Sequence, residues 1–119
     1  MKRLTNLCFA VSLMFAAPAL LACDYPSRVT VPNGGSATRD EMIAGQRAVK
    51  EYVTAMETYL ECIVAEEKAA RASMEELTSE DEQLREDMLN KKYNAAVEEM
   101  EKLAADFNGE VREFKNRED

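Results

Sequence analysis

The side chains with the most specific chemical options in this sequence are the thiols of Cys23 and Cys62. In an oxidising compartment a thiol pair can close a disulfide. A cysteine that becomes the first residue of an exported chain has a second option, acylation by a membrane lipid. The third cysteine, Cys8, lies in a mostly apolar run from Leu7 to Ala22 that follows Lys2 and Arg3, the pattern of a secretory signal peptide over residues 1–22. Two cleavage points compete. Ala17-Pro18-Ala19 offers a small-x-small site with cleavage after Ala19, and Leu20-Leu21-Ala22-Cys23 resembles a bacterial lipobox, with cleavage after Ala22 and lipidation of Cys23. Either one removes Cys8 and leaves an even number of thiols. A Cys23–Cys62 disulfide is the leading expectation, and an acylated Cys23 with a free Cys62 is the alternative.

Other chemistries lack their residues. The chain has no histidine, so the commonest general base and metal ligand is missing, as is any Ser-His or Cys-His nucleophile. Asn33-Gly34-Gly35-Ser36 lacks the lysine and the preceding strand of a phosphate loop. Adjacent carboxylates such as Glu66 with Glu67 and Glu98 with Glu99 read as solvated helix charges. Met42, Met56, Met74, Met88 and Met100 could in principle bind Cu(I) or form an adaptable client surface, but three of them fall on a predicted packing stripe and none clusters tightly. The expectation is therefore no enzyme, no catalytic residue, no cofactor and no metal.

Removing residues 1–22 takes away two cations and no acid, so the formal net charge moves from -8 to -10. That balance disfavours nucleic acid and anionic membrane surfaces as partners. The remaining 97 of 119 residues, with no Trp and with Phe107 and Phe114 as the only Phe left, cannot fill a deep globular core.

The elements that would position the cysteines follow from periodicity. Thr38 and Glu41 have the spacing of a capping box, and Met42, Gly45, Val49, Tyr52, Met56, Tyr59 and Ile63 then recur at alternating steps of three and four, the stripe of an amphipathic helix. This helix is expected over 39 to about 76. No Gly or Pro stops it. Thr78 and Ser79 followed by Glu80, Asp81 and Glu82 supply a second start signal, with Ser79 and Glu82 as its capping box. The second helix carries Leu89, Tyr93, Ala96, Met100, Leu103, Phe107, Val111 and Phe114 on one face, with a bend or fraying expected at Asn108-Gly109. Both stripes mirror about position 78: Ile63 opposes Tyr93, Met56 opposes Met100, Val49 opposes Phe107 and Met42 opposes Phe114. The fold predicted is all-α, an antiparallel coiled-coil-like two-helix hairpin over 38–119 with a turn near 77–79.

Residues 23–37 hold Pro26, Pro32 and Asn33-Gly34-Gly35, which read as an extended arm with a turn at its end. Reach permits the disulfide. Cys62 lies about 36 Å along the first helix from Thr38 at 1.5 Å per residue, and the arm can span about 46 Å at 3.1 Å per residue. Tyr25, Val29 and Val31 would then cover the apolar flank of the helix as a third layer.

Taken together, Cys23, Pro26, Val31-Pro32, Gly34, Ala37-Thr38, Glu41-Met42, Gln46, Val49-Lys50, Tyr52, Ala55-Met56 and Tyr59-Leu60-Glu61-Cys62 resemble a family of small, uncharacterised exported helical proteins of Gram-negative bacteria. The resemblance spans residues 23 to 62 and implies a periplasmic or secreted location without an assigned activity. A second likeness is to periplasmic helical-hairpin chaperones and stress sensors whose helices begin Leu-Thr-x-x-Gln; here Leu77-Thr78 is followed by Ser79-Glu80-Asp81, without the glutamine. The expected role is a non-enzymatic structural or protein-interaction module, with another protein or a second copy as partner in a homodimer. An ATP-independent chaperone and a membrane-anchored lipoprotein are the alternatives, the membrane entering only if Cys23 is acylated.

Overall fold

The computed structural model describes residues 22–118. Apart from Ala22, the segment read as a signal peptide lies outside the described residues. Two helices account for all regular structure among the described residues: α1, Arg39–Ala72, and α2, Ser79–Glu118. They pack against each other as an antiparallel hairpin.

The predicted cap starts α1. Thr38 is extended, its hydroxyl accepts from the Glu41 amide at 3.3 Å, and the Glu41 carboxylate accepts from the Thr38 amide at 2.6 Å. Asp40 and Glu41 both sit in the first turn, where the helix dipole favours them. The far end comes four residues sooner than expected, at Ala72. There the Ser73 amide donates to the Ala70 and Arg71 carbonyls, and its hydroxyl donates to Ala70 at 2.8 Å. Met74, Glu75 and Glu76 are exposed, so no burial rewards a further turn of helix.

The start of α2 corrects the expected capping pair. Thr78, not Ser79, is the cap: its hydroxyl accepts from the Asp81 amide at 3.1 Å and donates to the Asp81 carboxylate at 2.7 Å. Glu82 does not close the box; its amide instead donates to the Thr78 carbonyl at 3.0 Å. Capping one residue earlier adds this helical bond, and the short Asp81 side chain still reaches back to the Thr78 amide at 3.4 Å. The connection consequently occupies 73–78 in place of a tight turn near 77–79.

No break occurs at Asn108-Gly109, and α2 runs through to Glu118. A helical glycine costs about 1 kcal/mol. Phe107 and Phe114, buried on either side of it, each contribute about 1.5–3 kcal/mol by burial, which offsets that cost and keeps the helix continuous across the weak point.

The core is a single seam. Met42, Val49, Tyr52, Met56, Leu60 and Ile63 from α1 meet Ala96, Leu103, Phe107 and Phe114 from α2, with Met56 and Leu103 fully enclosed. Two stripe positions shift. Leu60 is buried where Tyr59 was expected, and Tyr93 is 40% exposed where it was expected to oppose Ile63. Toward the connection the seam thins. Met74, Leu84 and Met88 are exposed there, and the helices are held by Glu67, which accepts from Arg71 on its own helix at 2.9 Å and from Arg85 on α2 at 2.8 and 2.9 Å.

Candidate interaction surface

The arm is attached at points on both helices. Cys23 and Cys62 are joined, with S–S 2.02 Å and Cα–Cα 5.7 Å, so the expected pair does meet. Tyr25 meets Tyr59 edge-on at 5.0 Å between ring centroids, an arrangement that aromatic quadrupoles favour. Val29 and Val31 pack on the core from outside. Pro32 then crosses Gly45: a Cβ there would fall 2.6 Å from the proline ring and 3.3 Å from the Phe107 ring. The stripe position read from sequence as a small seam residue is thus a passage for the arm.

Contacts with α2 were not foreseen. Arg28 pairs with Glu99 and with Asp106, the latter at 2.7 Å, and its guanidinium is held more basic than usual, chiefly by the Glu99 hydrogen bond. Gly34 donates its amide to the Glu110 carboxylate at 2.6 Å. Arg117 donates to the Ala37 carbonyl at 2.6 Å and lies over Phe114, 5.0 Å from the ring centroid. A signal for the Arg28 site does exist in the sequence. Arg28 is the one cation between Cys23 and Thr38, and Glu99 and Asp106 stand seven apart on one face of α2.

The turn at Gly34–Ser36 closes through the Asn33 carbonyl, which accepts from the Ser36 and Ala37 amides at 3.1 and 2.7 Å. No described glycine has a positive φ. Gly34 is needed for space, not for conformation.

Beneath the arm lies the one buried hydroxyl without a hydrogen-bond partner among the described residues, that of Tyr52. Burial first, and then the neighbouring Tyr25 and Glu99, push its phenol above the ordinary range. An unsatisfied buried hydroxyl costs about 1–3 kcal/mol. Near the connection, Glu67 is held below the usual carboxylate range by hydrogen bonds from Arg71 and then Arg85.

The arm covers only one flank of the seam. On the other, Ile43 borders an open groove with Met42, Phe107 and Phe114, and Val64 borders a second with Leu60 and Tyr93. Neither groove includes an arm residue. A cleft along the seam, between Ile63 and Leu89, holds about 230 Å³, and the open groove beside Val64 about 640 Å³. Among the described residues no Cys, Asp and Glu converge as a metal-binding group, and no described helix is long and apolar enough to cross a membrane.

Comparison of the chain with protein-family models, curated proteins and solved structures finds no match to any of them.

Proposed function

We propose that this chain is a non-enzymatic protein-interaction module of the periplasm, a helical hairpin whose N-terminal arm closes one flank and leaves the other for a partner. One observation carries the reading: Ile43 and Val64 are 48% and 44% exposed on the flank without the arm, while Val29 and Val31 cover the opposite one. A two-helix seam buries little, and an apolar flank left open gains free energy when another protein covers it. A photo-reactive residue at Val64, set against one at Thr30 on the arm, tests this in intact cells. Protein adducts should form from Val64. Their absence from the envelope fraction would refute the reading. Intact mass of the same material tests the export route. Cleavage after Ala19 with a mass lower by two hydrogens agrees with an exported, disulfide-closed chain, whereas a diacylglyceryl adduct on Cys23 makes the chain a lipoprotein.

A second reading is favoured by a different place. Met74, Leu84 and Met88 are exposed together at the hairpin's connection, and flexible Met-bearing surfaces accommodate varied apolar segments. An ATP-independent chaperone would use that end. Suppressed aggregation of a reduced model client, abolished by Leu84→Glu with Met88→Glu, is the result this reading requires.

A further inference from the structure

We infer that the open flank of α1 pairs with the same flank of a second copy, antiparallel about a two-fold axis passing between Val53 and Thr54. This rests on the interaction reading above and names its partner. Ile43, Lys50, Glu57 and Val64 are spaced by seven, so they form one stripe along α1, and its outer members border the two grooves that the arm does not reach. Read along the helix, the stripe runs apolar, positive, negative, apolar. Reversed, it complements itself. With the axis at its midpoint, Ile43 lies opposite Val64 of the copy and Lys50 lies opposite Glu57, and two-fold symmetry makes each pairing twice.

Shape agrees with charge. Ile43 and Val64 stand about 32 Å apart at 1.5 Å per residue, so the Ile43 of one copy reaches the groove beside Leu60 and Tyr93 in the other, while Val64 reaches the groove beside Phe107 and Phe114. Between them Gln46 faces Glu61. Only the ends lack complementarity, because Lys68 meets a rim carrying Arg39 and Lys115 as well as Glu118. Register is therefore set at the centre, where a slip of one heptad would place Lys50 against Lys50 or Glu57 against Glu57. The product is a four-helix layer with both arms on its outer faces.

Sedimentation equilibrium of the disulfide-closed protein tests this with three variants. Lys50→Glu and Glu57→Lys should each weaken dimerisation roughly tenfold, since like charges then face each other twice. The double charge swap should restore most of the wild-type affinity. Both positions are exposed, and far-UV circular dichroism checks that each variant remains helical. A monomer up to millimolar concentration overturns the inference, and so does a dimer indifferent to the single reversals. A Val64 adduct with a different protein alone would sink the dimer yet leave the interaction reading standing; the absence of any adduct sinks both.

Discussion

Gly34 lies directly on the backbone of Glu110: a methyl group on its Cα would sit 1.9 Å from the Glu110 carbonyl oxygen, and its amide donates to the Glu110 carboxylate at 2.6 Å. The end of the arm is thereby locked to α2 by a contact that no other residue type can make. Gly34→Ala should lift the arm from α2 and destabilise the protein by about 1–3 kcal/mol, the usual range for overpacking. Gly45→Ala, against the Pro32 ring, should fall in the same range. Gly35→Ala meets only the Asn33 side chain, at 3.2 Å, and should be nearly neutral. Urea unfolding of the three variants gives the comparison.

The disulfide closes a loop of 39 positions. Its loss through Cys23→Ser with Cys62→Ser should cost about 4 kcal/mol in the chain-entropy model. For so thin a core that is a large share of total stability. The paired variant is expected to show a much lower denaturation midpoint in the same titration, with the helices still formed at low denaturant.

The two candidate caps of α2 separate cleanly. Thr78→Ala removes the hydroxyl that holds the Asp81 amide and should cost about 1 kcal/mol. Ser79→Ala should change stability little, because the Ser79 side chain caps nothing. A larger loss for Ser79→Ala would contradict the observed start of the helix.

Acid should weaken the hairpin at both ends of α1. Glu67 has a folded pKa below its unfolded value, through Arg71 and then Arg85, and Glu41 is lowered in the same way by the Thr38 amide and hydroxyl. For a depressed carboxylate the stabilisation is complete above the unfolded pKa, near 4.3, and is lost as pH falls through the lower folded value. Melting temperature should therefore be flat above about pH 5 and fall below it. Glu67→Gln should reduce that slope by removing one of the two groups. An unchanged slope in this variant would rule out Glu67 as a contributor.

Much of the fold is legible in the residues alone. The three-and-four spacing from Met42 to Ile63 and from Leu89 to Phe114 dictates two helices with one apolar stripe each, because only one face of a helix repeats at that interval. Thr38 with Glu41 sets the start of α1, since their capping bonds lie within four residues. The reach of the arm makes the Cys23–Cys62 pairing feasible, a matter of chain length and helix rise.

What the tertiary structure alone decided depends on groups distant in sequence. Leu60 rather than Tyr59 faces the seam because Tyr25, held by the neighbouring disulfide, takes the Tyr59 ring on the flank. Asn108-Gly109 stays helical because Phe107 and Phe114 are buried on both sides of it, a gain that local propensity does not contain. Gly34 and Gly45 are sites of close approach only because Glu110 and Pro32 arrive there from elsewhere in the chain. Which flank remains open follows from the side on which the arm returns. Periodicity defines a stripe and its two edges, and the arm takes the edge where Cys62 anchors it on α1 and where Arg28 reaches Glu99 and Asp106 across the seam.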